Sequence, residues 1–348
     1  ITAVGGGGVG RQILKSLRYA ETEYEITGTD INKNSFGLMK VDHPYVVPKA
    51  DKNNFLEELI SIIKKRSIQV LFPGSEIELK LISENRSLFE ELNVYLPINP
   101  HNVIETCFNK FKTNQFLKEK GFNYPKTMII SSKSDLRKIG FFPLILKPNI
   151  GGGGSSNVFI SQNKKELNLL SEYLLTIYSS FIVQEYIGSV HDEYTVGVLI
   201  TKKGEILNSI AVKRMIMNGL SNRIKIVNKT DKSELGKYLA VSTGITQGRI
   251  GRYSEVSKEC EKIALKLGCL STINIQCRVS DNQVFVFEIN PRFSGTTFFR
   301  TLVGYNEPDI LIRNNLLNEK IEQYYDYESK VIMRGFEEEI IRDFTNPK

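Results

Sequence analysis

The sequence predicts an α/β unit at the start of the chain followed by a larger α+β unit. Three observations carry this. Short apolar runs alternate with helix-period segments over roughly the first hundred residues; a glycine cluster separates the first apolar run from the first helix; and from Phe181 the pattern becomes a succession of strands around one long helix. Strands alternating with helices imply a parallel sheet, whereas a run of strands with few helices implies α+β. A length of 348 residues suits two or three domains of about 100–200 residues, each able to bury its own core.

The elements follow in order. Ile1–Val4 is apolar, Gly5–Gly10 breaks the pattern, Arg11–Tyr19 has helical spacing, and Tyr24–Thr29 leads to Asp30. Phe55–Lys65 is an amphipathic helix, Ile68–Phe72 a buried strand and Glu76–Leu92 a second helix. The alternation weakens near Pro97 and Pro100, which puts the first boundary near residue 105. A helix over Lys110–Lys120 ends at Gly121, and strands are expected at Thr127–Ile130, Phe142–Lys147 and Asn157–Ile160, with a helix at Glu166–Ile177. Strands then read at Phe181–Tyr186, Glu193–Ile200, Ile206–Met215, Ile273–Val279 and Val284–Ile289, with a helix at Ser254–Leu267.

The net charge of +7 comes from interspersed residues with no basic tail. That describes a solvated basic surface, with no nucleic-acid partner expected, and it also suits a polyphosphate ligand. Cys107, Cys260, Cys269 and Cys277 show no CxxC spacing, so they are expected to be buried thiols in a reducing, cytoplasmic setting. His43, His101 and His191 lie too far apart to form an HExxH helix. No apolar run approaches the ~18 residues of a membrane span, and no signal-peptide pattern is visible. Because Ile1 falls inside an expected strand, a few residues are expected to precede it.

The first glycine cluster, Gly5–Gly10, satisfies G-x-G-x-x-G between a strand and a helix, with Asp30 following 20 positions on. Glycines there let backbone N–H groups approach a pyrophosphate at a helix N-terminus. A nicotinamide dinucleotide, or a tight turn that simply requires glycine, accounts for the pattern. A second cluster follows Leu144-Ile145-Leu146-Lys147-Pro148: Asn149 and Ile150 lead into Gly151–Gly154, Ser155 and Ser156. Lysine at a strand end offers a point charge to phosphate oxygens, and the flexible loop can fold over them.

The sharpest segment is Val284–Arg292. Alternate side chains on a strand share a face, so Glu288 and Asn290 project together. A hairpin around Asp281 and Asn282 can bring Gln276 beside them. Carboxylate and amide oxygens suit Mg²⁺, which shares its sphere with substrate phosphates, and Arg292 adds a fork of donors where phosphoryl charge develops. Between these clusters lie Val183–Ile187, an edge of backbone groups able to read an adenine, and Asp192–Val196.

Together these segments resemble the ATP-grasp superfamily, most closely the carbamoyl-phosphate-synthase-like carboxylate–amine ligases. The matching pieces occur in the family's order: Asn109-Lys110, Leu146-Lys147-Pro148 before the Gly/Ser loop, Gln184-Glu185-Tyr186-Ile187, Glu193-Tyr194, Gln276, and Glu288-Ile289-Asn290-Pro291-Arg292. The match covers roughly residues 105–305. The resemblance implies an α/β Rossmann-like (pre-ATP-grasp) domain over 1–105, a small lobe with a glycine-rich lid over 106–180, and a large lobe with the metal site over 181–348. These make a two-lobed α+β ATP-grasp domain behind the opening unit. It also implies roles. Lys110 and Lys147 would contact ATP phosphates, and Gly151–Ser156 (with Gly153, Gly154, Ser155 and Ser156 at its centre) would form the lid. Glu185 and Ile187, within the segment that includes Gln184 and Tyr186, would hold the adenine and Glu193 the ribose. Gln276, Glu288 and Asn290 would hold two Mg²⁺, or Mn²⁺ in their place, with Glu288 bridging. Arg292 would steady the transferring phosphoryl group. The family often has Asp-Lys where this chain has Asn109-Lys110, which keeps Lys112 as an alternative.

The chemistry implied is ATP-dependent joining of a small carboxylate to an amine through an acyl phosphate, releasing ADP and phosphate. The acceptor site is less legible: Ser294–Thr297 begins a helix after Arg292 whose N–H groups offer anion contacts, Lys213, Arg214, Arg223 and Arg249 offer carboxylate contacts or ordinary surface charge, and Arg300, about two helical turns beyond Arg292, can equally face solvent. A homodimer is the commonest arrangement of soluble enzymes. Two rivals stand beside the ligase: an NAD(P)-dependent oxidoreductase using Gly5–Gly10 and Asp30, and a catalytically silent nucleotide-binding module.

Overall fold

The structure is a computed structural model that describes residues 1–151 and 153–336. Gly152, within the expected lid, and residues 337–348 lie outside the described residues.

The opening unit contains α1 (Val9–Arg18), β1 (Thr27–Asp30), β2 (His43–Val46), α2 (Phe55–Arg66), α3 (Glu76–Glu84), α4 (Arg86–Glu90) and α5 (His101–Phe108). β1 and β2 pair in parallel, and Val70 bridges Tyr95 in parallel. Residues 1–4 run between them, through Val4 N–H to Thr29 O, Thr29 N–H to Ile1 O and Thr2 N–H to Phe72 O. The expected alternation is observed in part: Ile1–Val4 and Ile68–Phe72, expected as strands, run extended through these few bonds and the Val70 bridge, too few contacts to form strands, and the paired sheet here has two strands. The expected single helix over 76–92 is broken at Asn85, which carries non-helical dihedrals and whose side chain donates to the Leu81 carbonyl, a local competition typical of asparagine. α5, which the sequence reading left unassigned, runs across residue 105.

The next unit holds α6 (Lys110–Glu119), β3 (Thr127–Ile130), β4 (Leu144–Pro148), β5 (Phe159–Ser161), α7 (Lys164–Ile177) and β6 (Phe181–Glu185). Its antiparallel sheet has the order β3-β6-β4-β5. The third unit holds β7 (Glu193–Ile200), β8 (Ile206–Arg214), β9 (Asn222–Val227), β10 (Tyr238–Ser242), β11 (Gly248–Gly251), α8 (Ser254–Leu267), β12 (Ile273–Ser280), β13 (Gln283–Asn290), α9 (Thr297–Thr301), α10 (Glu307–Asn315) and β14 (Val331–Ile332). Six of its strands form one sheet in the order β13-β12-β7-β8-β11-β14, while β9 and β10 pair separately. The hairpin between β12 and β13 turns on Asp281 and Asn282, both with positive φ (49° and 59°), the conformation that a two-residue primed turn requires of such residues. Among the described residues no helix is long and apolar enough to cross a membrane.

One core joins the first and third units: Val4, Ile13 and Leu14 pack with Leu199, Ile210, Phe293 and Phe299. Behind the third sheet, Arg300 and Glu307 form an ion pair at 3.1 Å with both side chains fully buried, and Arg300 also donates to Asn274 Oδ1 at 2.6 Å. The expectation that Arg300 could face solvent is corrected: α9 turns its side chain inward over β7. A Cβ added at Gly197 would lie 2.1 Å from Arg300 Nη1 and 2.9 Å from Glu307 Oε1. Gly197→Ala is accordingly expected to destabilise the fold by at least about 1–3 kcal/mol, read as a lower urea midpoint at unchanged slope. An unaltered midpoint would show that the pair yields freely.

Candidate active site

A cleft lies between the second and third units, lined by β4, β6, β7, β10, β12 and β13. Of the residues expected to handle nucleotide or metal, Lys147, Ser155, Gln184, Glu185, Tyr186, Ile187, Glu193, Gln276 and Glu288 all line it. Gln276 and Glu288 are direct cross-strand partners, so their side chains share a face, as do Glu288 and Asn290 two positions apart. The register shifts immediately after Gln276, between it and Cys277.

Lys147 comes from β4 on the opposite lobe. It is buried, its Nζ donates to the Phe287 carbonyl at 3.0 Å, and it sits 5.7 Å from the Phe287 ring centre. Burial pushes its pKa down to about 8; the Glu288 carboxylate opposes that shift and the Lys110 cation reinforces it. Lys110 opens α6 and donates through Nζ to the Gly151 carbonyl at 2.7 Å, while its N–H donates to the Asn149 carbonyl at 3.0 Å. That segment is therefore stitched to the root of the glycine loop. Gly153, Gly154 and Ser156 are exposed at the loop's crest, and Ser155 donates to the Ser242 carbonyl at 2.7 Å.

Arg292 stands outside the cleft lining, at the end of β13. It donates to Asn290 Oδ1 at 3.0 Å and pairs with Glu76 Oε1 at 2.5 Å. Asn290 in turn donates weakly to Glu288 Oε1 at 3.3 Å. The Asn290 oxygen thus faces Arg292 here, an orientation assigned from the hydrogen-bond network. Burial raises the Glu76 carboxyl, but Arg292 and Lys110 outweigh it and hold the group below its ordinary range. Glu76 was missed from sequence, where nothing connects the start of α3 to residue 292.

Glu193 is the residue whose surroundings differ most from expectation. Its two oxygens pair with Arg214 and with Arg278, each at 2.9 Å, and all three side chains are buried. Burial raises the Glu193 carboxyl; the two guanidinium groups overcome this and hold it low. Arg278 also donates to the Ile187 carbonyl at 3.2 Å and lies 4.4 Å from the Tyr186 ring centre. Arg278 was missed, although strand alternation puts it on the Gln276 face. The N–H groups of Glu185 and Tyr186 already go to the Lys126 and Pro143 carbonyls. The Glu185 carboxylate sits 3.5 Å from Lys232.

The acceptor expectations need correction. The helix after Arg292 begins at Thr297 and is only five residues long. The Ser294 and Thr296 N–H groups are taken by Thr297 Oγ1 and Ser294 Oγ, so no anion-binding terminus forms. Lys213 pairs with Asp192 at 2.9 Å and Arg214 with Glu193, while Arg223 and Arg249 are exposed. Lys112, the alternative to Lys110, is exposed and lines neither this cleft nor the cavity beside α1. Asp30 is also engaged: Gly5 N–H donates to Oδ2 at 2.7 Å, and Ser35 Oγ and Asn32 N–H donate to Oδ1 at 2.6 and 3.0 Å. A carboxylate so held by its own loop is poorly placed to accept from a cofactor ribose.

Oxygen donors on two strands, facing a buried lysine across a cleft between two lobes, define a protein able to surround a metal-bound polyphosphate. The chain belongs to the ATP-grasp family: the family's domain matches residues 107–296, more than half of its length. Residues 4–97 match the PylC-like N-terminal domain. The chain is 24% identical over 298 residues to the carbamoyl phosphate synthase large chain of Thermoplasma volcanium, covering 81% of this chain and 26% of that one. It therefore spans about a quarter of that relative's length. It is 30% identical over 217 residues to coenzyme gamma-F420-2:alpha-L-glutamate ligase of Methanococcus maripaludis, covering 59% of this chain and 65% of that protein. Among solved structures, N5-carboxyaminoimidazole ribonucleotide synthetase in its ADP complex superposes with a TM-score of 0.67 at 16% identity, covering 93% of this chain and 78% of that one.

Proposed function

We propose that this protein is an ATP-dependent carboxylate–amine ligase that forms an amide or peptide bond through an acyl phosphate. The supporting observation is the pairing of Gln276 with Glu288 on adjacent strands, facing Lys147 from the other lobe. The relative from Methanococcus maripaludis is by name a ligase of coenzyme gamma-F420-2 and alpha-L-glutamate, which agrees with this class. In this reading the first unit is Rossmann-like, the small lobe covers 106–180 and the large lobe begins at 181.

A carboxylate approaching a triphosphate meets like-charge repulsion, so catalysis here is charge neutralisation and alignment. Lys147, Lys110 and Arg292 supply fixed positive charge, and Gly153–Ser156 close over the phosphates and exclude water. Glu185 and Ile187 hold the adenine beside Tyr186, and Glu193 acts at the ribose end through the arginines it holds. The oxygens of Gln276, Glu288 and Asn290 are a hard donor set that fits Mg²⁺, two ions in this reading, with Mn²⁺ able to substitute; once bound, such ions neutralise the β and γ oxygens. Asn290 would join that set after Arg292 releases its oxygen for the transferring phosphoryl group. The acid's oxygen bonds to the γ phosphorus as the bond to ADP breaks. The amine then attacks the acyl carbon, phosphate departs with the bonding pair, and the amine loses a proton. The four described cysteines are free and buried, in keeping with a cytoplasmic enzyme; a homodimer completes the reading.

The direct test is MgATP-dependent release of ADP and phosphate in pooled acids and amines. ADP release that requires both pools supports the ligase. Saturable NADH binding with no response to MgATP would instead favour the oxidoreductase, which leaves Gln276, Glu288 and Asn290 without a role. A pH prediction follows from Lys147. Phosphates favour its charged form, so its pKa rises on binding from the free value of about 8. Nucleotide affinity is then greatest below pH 8 and falls, by up to about tenfold per pH unit, as pH rises through that value. Calorimetry of MgADP from pH 6.5 to 9.5 (roughly the span of the predicted loss) checks this, and a flat profile would remove Lys147 from the phosphate site.

A further inference from the structure

Beside α1 lies a second cavity of about 600 Å³, whose lining shares no residue with the cleft. The glycine turn at Gly5–Gly7 and α1 form one wall; α9 and the chain from Ile332 to Phe336 form the other. Three cation–aromatic pairs line it: Arg11 lies 4.7 Å from the Phe36 ring centre, Lys15 4.7 Å from Phe298 and Arg334 5.5 Å from Phe299. No acidic side chain lines it among the described residues.

Arg334 is the informative member. Its hydrogen bonds both run through Nη2, to Gln12 Oε1 at 3.2 Å and to the Gly295 carbonyl, which are neutral acceptors. Nε and Nη1 make none among the described residues. Burial pushes its pKa down to about 10 and the nearby Arg214 cation adds to that. A half-buried guanidinium with unused donors, set against an aromatic face, is built to meet an anion with an apolar body. Arg334 is linked toward the oxygen-lined face: Gly295, which accepts from it, follows Arg292 by three residues, and Arg214, whose cation acts on it, reaches Gln276 Oε1 at 3.5 Å.

We propose that this cavity takes the carboxylate substrate, an organic acid whose aryl or branched apolar body lies against Phe36, Phe298 and Phe299 and whose negative charge is met by Arg334. The assignment rests on the ligase reading and adds the class of acid. It also gives the glycine turn at Gly5–Gly7 a place in a substrate site without nicotinamide chemistry.

Fluorine NMR of the full chain with para-fluorobenzoate, para-fluorobenzamide and para-fluorobenzylamine tests it, with MgADP affinity measured by calorimetry on the same samples. The acid is expected to bind about tenfold or more tighter than the amide, the scale of one charge-assisted hydrogen bond, and the amine weakest. Arg334→Gln should abolish the acid-over-amide preference while MgADP affinity stays within about twofold, a difference under half a kcal/mol. Equal binding of acid and amide, preference for the amine, competition between MgADP and para-fluorobenzoate, or a preference that survives Arg334→Gln would each overturn the proposal. Failure of the unaltered protein to bind MgADP overturns the ligase reading itself, and this assignment with it. If Arg334→Gln does not fold, Phe298→Ala carries the test: para-fluorobenzoate should weaken with MgADP unaffected, and unchanged binding of the acid overturns the assignment.

Discussion

Glu288→Ala is expected to lower ATP turnover by on the order of 10²–10³-fold or more, the range for losing one preorganised electrostatic contact at a reacting centre. The fold should survive. Glu288 is half-buried, and its one hydrogen bond within the described chain is the weak contact from Asn290 at 3.3 Å. Removing it leaves Lys147 bonded to the Phe287 carbonyl and Arg214 paired with Glu193, and takes away the carboxylate that supports the charged forms of both. Glu288→Gln separates charge from shape: the amide keeps an oxygen beside Gln276 but leaves the donor set neutral, so turnover should fall nearly as far. ADP release and thermal unfolding on the same preparation decide the matter. Turnover close to that of the parent protein in either variant would remove the strand pair from the reaction.

The second large effect concerns stability. Glu193→Ala would leave Arg214 and Arg278 buried against each other with their shared anion gone, and loss of one member of such a buried set costs about 3–5 kcal/mol. A residue that only met a ribose hydroxyl would behave differently, raising KM for ATP with the unfolding midpoint unchanged. The sign with pH is also fixed. Because the carboxyl is held below its ordinary value by two guanidinium groups, its stabilising contribution is present above the usual glutamate range and is lost as pH falls through the lowered folded-state pKa. Glu193→Ala should therefore flatten the acid limb of the stability profile, and an unchanged limb would mean that the two arginines find other anions.

Within single strands the sequence was highly legible. Helix α8 and strand β7 occupy the residues that periodicity assigns, and β13 ends on Glu288 and Asn290 as alternation requires. What escaped was of two kinds. Strands β9 and β11 are short and polar or glycine-bearing, and β10 is an apolar run of only five residues, too short for periodicity to mark; yet β10 carries Ala240, Val241 and Ser242 into the cleft. Partners far apart in the chain also escaped, Glu76 with Arg292 and Glu193 with Arg278 among them, because an ion pair leaves no periodic trace in either segment.

By itself, then, the sequence determined which residues share a face of each strand, where the glycine turns fall and which oxygen-bearing side chains come together on β12 and β13. These properties follow from repeats of 2.0 and 3.6 residues along one chain. Only tertiary packing decided which charges have partners. It placed Asp30 in the hold of its own loop, set Arg300 against Glu307 in the core, gave Glu193 to two arginines, and left Arg334 Nε and Nη1 without acceptors among the described residues. Those outcomes depend on the local dielectric and on which distant segment arrives alongside, and no spacing within a segment encodes either.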